Sequence, residues 1–408
     1  MAQGTLSWLN QDFVGKALRI GENDDSIQVH DIFTKAATDK GDNYTSQMIR
    51  VTVELSRKVG SRNVTEKKSL IIKIVPAEEK TREMVEKAGL FSTEMIMMTE
   101  TLPKMNEILG NIKPFNAKGY YIQKTNPTLL IFDDLAPMGF RMANRQAGLD
   151  IDHSLMALRE LARFHACSIA ICEKEPKTKE IFNKGMFNNS HGPEMGQFFN
   201  SSVKSLAKEV ANWSEFDPEI SGKLLKLGEV AYKKGIEASQ LKKDEFHVIN
   251  HGDFWVNNML FRYDNHGKVI DHIFVDFQLC VYGSPAIDLH YFLNTSVSYE
   301  VYEDSMELLL KEYINSLSNW MHLSGCKKEP LSLDALKKML KEREMFGLIA
   351  SLTVLPIVLV NKDDAKSFDE MLDANGEFQD SGYYSGKMFR HVIGKRLPNW
   401  NKRGLLDV

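Results

Sequence analysis

A chain of 408 residues is long enough for two or three ordinary domains or one two-lobed enzyme, and 43% hydrophobic with 26% charged residues is the composition of a globular protein. A formal net charge of -4, with no basic-aromatic stripe, argues against a nucleic-acid partner. Four cysteines without zinc-site spacing are too few to staple so long a chain, so they are read as reduced and the compartment as cytoplasmic.

The N-terminus has no basic segment followed by an apolar core, so no signal peptide is expected. A helix is expected over residues 8–18, then strands over 27–33 and 46–55, the second with good alternation. The Gly/Asn/Ser-containing stretch between them, 38–46, has the composition of a flap whose amides must approach phosphate oxygens closely. Gly41, Asn43, Thr45 and Ser46 are its candidate nucleotide contacts, although it carries no G-x-G-x-x-G.

Lys73 lies inside the apolar strand run 70–75, where an ammonium must either reach water or meet an anion. Glu94 lies in an apolar helix that ends near Leu102-Pro103, where an unpaired carboxylate would be costly. Pairing the two accounts for both; Glu86 and Glu100 are the fallback partners. Two more strands, 120–123 and 128–132, complete a small α+β lobe of five strands and one helix. Phe132, Asp133 and Asp134 leave its last strand, where a hinge would read an adenine edge through backbone groups.

From residue 152 onward the periodicity is helical, and His165 on the first of these helices reads as a satisfied core histidine. Residues 174–200 read as a loop over one face, followed by helices near 194–212 and 217–242. The apolar run 345–360 is short for a bilayer and contains Pro356, so it reads as a buried helix; no membrane insertion is expected, and no protein partner is legible.

The chemistry concentrates in His251-Gly252-Asp253-Phe254-Trp255-Val256-Asn257-Asn258 and Val275-Asp276-Phe277-Gln278. Phosphoryl transfer from a nucleotide needs one carboxylate to orient the attacking hydroxyl and accept its proton, and an amide oxygen and a second carboxylate to hold Mg²⁺ on the phosphates. Strands at 259–262 and 269–275, joined by Asp264-Asn265-His266-Gly267, would bring Asn258 and Asp276 to one end of a hairpin. Asp288, near the start of a helix opened by Ser284-Pro285, would support the catalytic loop through its backbone amides, as would His251.

These two stretches resemble the ecdysteroid-kinase-like (CHK kinase-like) family, related to choline kinases and aminoglycoside phosphotransferases on the protein-kinase-like fold. The flap, the Lys73 strand, Glu94, residues 130–135 and the helix bearing His165 fall in the expected order. The resemblance implies an N-lobe over 1–134 with a small antiparallel sheet, and a larger, mostly helical C-lobe over 135–408 that carries the acceptor pocket. It implies ATP and Mg²⁺ as cofactors, Asp253 as base, Asn258 and Asp276 as metal ligands, and Lys73 on the phosphates with Glu94 as its partner. The implied substrate is a small-molecule hydroxyl, of an ecdysteroid, another steroid-like alcohol or a xenobiotic. Gln278 stands where protein kinases have Gly, and no Ala-Pro-Glu follows, which argues against a peptide substrate. A non-catalytic hormone- or toxin-binding protein and a choline or ethanolamine kinase are the alternatives; the latter would need rings such as Trp255, Tyr291 and Trp320 around a cation.

Overall fold

Alternation in the N-terminal half builds a five-stranded antiparallel sheet in the order β1-β2-β3-β5-β4, with β1 Gln28–Ala36, β2 Gln47–Val59, β3 Arg62–Ile74, β4 Gly119–Gln123 and β5 Leu129–Asp133. The computed structural model describes residues 6–38, 43–110, 112–373, 377–380 and 382–408. Ile49, Val51, Val53 and Leu55 of β2 turn one face inward onto Leu70 and Ile72 of β3 and Leu129 and Ile131 of β5. The helix Gln11–Glu22 covers that face with Val14, Ala17 and Leu18. It starts later than the periodicity alone suggests because the Asn10 side chain caps it, accepting from the Phe13 amide at 3.0 Å. Glu22 at its end meets Lys68 Nζ at 2.7 Å and Lys118 Nζ at 3.3 Å.

The third strand is longer than its apolar run. It begins at Arg62, paired with Val59 across a turn at Gly60 whose φ is +62°. Its first half is largely exposed, so no buried alternation announces it. The other face of the sheet carries the helix Leu90–Ile96, which does not stop at Pro103. A π-helical segment, Met97–Thr101, intervenes, and Pro103 falls in the first turn of Leu102–Leu109, where a missing N–H is tolerated.

The remainder is mostly helical, which makes the molecule a two-lobed α+β protein. The long helix Ile151–Lys174 packs against Met306–Leu323, and Pro193–Val210 against Pro218–Ser239. Two small sheets interrupt the helices: β6 Arg141–Met142 with β8 Met259–Tyr263 and β9 Val269–Phe274, and β7 Val248–Asn250 with β10 Val281–Gly283. The 345–360 run forms buried helices, Glu344–Thr353 and Leu355–Leu359, broken before Pro356. Among the described residues no helix is long and apolar enough to cross a membrane.

Asp134 fastens the turn that leaves β5. Its carboxylate accepts from Arg50 Nε at 2.7 Å and Nη2 at 3.2 Å, from Ser69 Oγ at 2.7 Å and from the Ala136 amide at 3.2 Å. Asp134→Ala is expected to lower unfolding stability by about 2–4 kcal/mol, because a buried acceptor of charged and neutral donors disappears at once; thermal unfolding measures it.

Candidate active site

The β8–β9 hairpin brings the two ends of the catalytic stretch together. Asp264 closes its turn by accepting from the His266 and Lys268 amides, both at 2.9 Å. At the open end Met259 pairs with Phe274, and the Val275 amide donates to the Asn258 carbonyl at 3.1 Å. Asp276 therefore lies beside Asn258. Its φ of +65° places it in the left-handed region, where Asp and Asn are the side chains best tolerated. Asn258 ends a 3-10 turn, Val256–Asn258, and its Nδ2 donates to Asp253 Oδ2 at 2.8 Å and to the Asp253 carbonyl at 3.0 Å. That commits the amide nitrogen to Asp253 and leaves Oδ1 as the atom able to face a cation.

Lys73 reaches this group from β3. Its Nζ lies 2.7 Å from Glu94 Oε2 and 2.9 Å from Asp276 Oδ1, with Lys73 and Glu94 only 2% and 3% exposed. The Phe277 amide donates to the other Glu94 oxygen at 3.4 Å. Glu86, in the preceding helix Glu79–Ala88, and Glu100, in the π-helical segment, are exposed. Burial works against the charge on Lys73, but the two carboxylates outweigh it and raise its pKa. Burial pushes Glu94 up, against the pull of Lys73.

Asp253 is pushed up to about 7, first by burial and then by the like charge of Asp276; hydrogen bonds from Tyr291 and Asn258 pull the other way. Among the described residues, three carboxylates thus crowd one ammonium. The donor set facing the cleft is oxygen from Asp276 and Asn258, which suits a hard divalent cation. Among the described residues no three His, Cys, Asp or Glu side chains form a self-sufficient metal cage. Mg²⁺ in general needs only one or two protein oxygens, the rest of its shell coming from phosphate and water.

Asp288 holds the loop from beneath. The fully buried carboxylate accepts from the His251 amide at 2.7 Å, the Gly252 amide at 2.8 Å and His165 Nε2 at 3.0 Å, while His165 Nδ1 meets the Tyr313 hydroxyl at 2.8 Å. His251 Nε2 donates to the Val275 carbonyl at 3.1 Å, tying the loop to the end of β9. Gly252 has φ +80°, and a Cβ there would sit 1.8 Å from the Leu279 carbonyl oxygen, so only glycine fits.

A cleft between the lobes joins these groups to the flap and hinge, and Met48, Ile71, Phe132, Leu260 and Met142 supply its apolar walls. Asn43 Nδ2 donates to the Ser46 carbonyl at 2.7 Å and to Ser46 Oγ at 2.8 Å; Thr45 Oγ1 donates to Gln278 Oε1 at 2.6 Å. Gly41 lies outside the described residues. At the hinge, Asp133 accepts from the Tyr120 hydroxyl at 2.6 Å and Asp134 is taken up by Arg50, so both side chains serve the N-lobe. Sequence reasoning missed Tyr291 as a partner of Asp253 and Thr45 as a partner of Gln278. Tyr291 follows Asp288 by three positions on one helix, a spacing that places both on one face. Trp320, considered for a cation cage, stands near the Arg163 guanidinium instead.

A family model described as the Ecdysteroid kinase-like family matches residues 40–326, more than half of the chain and all of the groups above. No curated protein matches the sequence.

Asp288→Ala strips the His251 and Gly252 amides of their acceptor in a dry interior. It is expected to cost about 3–5 kcal/mol, read as a lower midpoint in denaturant; an unchanged midpoint would remove Asp288 from this supporting position.

Proposed function

The chain belongs to the ecdysteroid kinase-like family, and from that premise we propose that it transfers the terminal phosphoryl group of ATP to a hydroxyl of a small molecule. The observation that carries this reading is Lys73 Nζ held between Glu94 and Asp276, with Asp253 and Asn258 alongside. Lys73 reaches phosphate oxygens while Glu94 fixes its direction. Asp253 orients the acceptor hydroxyl and takes its proton as the new oxygen–phosphorus bond forms and the bond to the ADP oxygen breaks. Asp276 and Asn258 would hold Mg²⁺, which when bound neutralises phosphate charge. The rest of the rate comes from positioning and fixed charge.

A second cavity supports the choice of acceptor. It adjoins Gly252, the neighbour of Asp253, and is walled by Phe182, Phe187, Tyr282 and Phe346 with Asn183 and Lys184. Phe346 packs edge-on to Tyr291 at 6.5 Å, and Tyr291 bonds Asp253. None of the described residues lining it is Asp or Glu. A quaternary amine wants an acidic, aromatic cage, so this lining favours an uncharged ring-bearing alcohol, such as an ecdysteroid or another steroid-like or xenobiotic hydroxyl compound, over choline or ethanolamine.

Asp253→Asn is expected to reduce phosphoryl transfer by about 10²–10⁴-fold while the rise in melting temperature given by ATP with Mg²⁺ persists; undiminished turnover would show that Asp253 is not the base. Lys73→Ala is expected to lower kcat/KM for ATP by at least about tenfold, and an unchanged value would refute the role given to the ion pair. In an ATP-consumption screen, hydroxylated steroids and plant glycosides are expected to exceed choline and ethanolamine, and the reverse order would overturn the acceptor class.

A further inference from the structure

Lys184 lines the cavity that adjoins Gly252, and the loop carrying it is fastened on several sides. The Tyr282 amide donates to the Phe182 carbonyl at 2.7 Å. Asn183 Nδ2 donates to the Glu180 carbonyl at 2.9 Å, and Asn188 Nδ2 donates to the Asn183 carbonyl at 2.8 Å. Gly185 has φ +63°, and a Cβ there would lie 3.0 Å from Val281, so glycine suits both the turn and the close approach to β10.

The side chain crosses from the C-lobe to the N-lobe. Lys184 Nζ donates to the Lys87 carbonyl at 3.3 Å, in the last turn of the helix Glu79–Ala88. A cation suits that place, because the last carbonyls of a helix lack intrahelical partners and form the negative end of its dipole. Gly89 ends this helix and opens the one that bears Glu94, its carbonyl accepting from the Thr93 amide at 3.0 Å. A Cβ on Gly89 would lie 2.9 Å from Lys184 Nζ, so the ammonium rests against the joint between the two helices.

One carbonyl engages one of the three donors of an ammonium. Lys184 is half-buried and has no carboxylate partner among the described residues. The cavity it lines has a volume of about 240 Å³, and its other walls include Phe182, Phe187, Tyr282 and Phe346. Such walls receive an apolar ring system. A ligand that covers the lysine with apolar surface strips water from the spare donors, and only an oxygen on the ligand replaces it.

We infer that Lys184 is a specificity-determining residue of the acceptor site, donating to a second oxygen that the acceptor carries away from the hydroxyl to be phosphorylated. This rests on the reading of the cavity as the acceptor pocket of a kinase. The ligand is an uncharged ring-bearing alcohol with a carbonyl or hydroxyl oxygen at the far end of its rings. A site built to donate to such an oxygen rejects the analogue without it more strongly than apolar walls alone can, because the donor is then left unmet.

Equilibrium dialysis on the full chain, with AMP-PNP and Mg²⁺ present, compares two steroid alcohols that differ by one oxygen: dehydroepiandrosterone, with a 17-keto group, and androst-5-en-3β-ol, without it. The wild type is expected to bind the ketone at least about tenfold more tightly. Lys184→Met keeps the length of the side chain and removes its donors. It is expected to bring the ketone to the affinity of the deoxo compound, with a cooperative thermal transition showing that the variant is folded. Equal affinity of the wild type for the two steroids, or a preference that survives Lys184→Met, would overturn the role given to Lys184 and leave the kinase reading to the turnover assays. Binding of neither steroid would overturn it as well; the kinase reading falls with it only if no compound of the ATP-consumption screen is phosphorylated.

Discussion

An ammonium that is only 2% exposed must be surrounded by negative charge, and the arrangement that meets this need at Lys73 organises the molecule. Its partners arrive from separate elements: Glu94 from the helix laid on the sheet, Asp276 from the end of β9. A buried ion pair of this kind adds little net stability, because desolvation offsets most of its Coulombic gain. Its consequence is geometric. The sheet, the helix and the β8–β9 hairpin are mutually positioned by one nitrogen, and each would be left with an unpaired buried charge if it moved away. The positive φ of Asp276 is a further local cost of bringing that carboxylate to the right place.

The second constraint lies beneath the catalytic loop. Loops cannot normally be buried, since their amides would go unmet. Here Asp288 accepts from two successive loop amides and is itself backed by His165 and Tyr313. The loop's amides are thereby satisfied without its being part of a sheet or a long helix, as the proposed catalytic role would require. Gly252 completes the arrangement by letting the chain pass within contact distance of the Leu279 carbonyl.

Charge then gives the physical ground for proposing a metal–nucleotide complex at the same cluster. Among the described residues Asp253, Asp276 and Glu94 share a single nearby lysine, and burial first, then the like charge of Asp276, raises the pKa of Asp253. In the proposed reading a divalent cation would relieve this, and polyphosphate would in turn need both the cation and the lysine. The two lobes also meet at the flap through Thr45 and Gln278, while Arg50 and Asp134 fasten the hinge from within the N-lobe, so the cleft is bounded at both ends by polar contacts.

Much of this was legible in the chain itself. Residue chemistry within a short span singled out the candidate catalytic stretch, and the hairpin that brings Asn258 and Asp276 together followed from it, because Asp253, Asn258 and the hairpin strands are close in sequence and a tight turn leaves few ways to connect them. Burial made Lys73 and Glu94 conspicuous, since charge inside apolar runs needs a reason. The exposed start of β3 was illegible because solvated residues carry no alternation, and the helix continued past Pro103 because a π segment took the place of the expected stop. Tyr291 on Asp253, Arg50 on Asp134 and Thr45 on Gln278 were decided only by tertiary packing. Arg50–Asp134 and Thr45–Gln278 join residues separated by a strand or a whole lobe. Local periodicity fixes which way a side chain faces along its own element, whereas what it meets there depends on how distant elements are stacked.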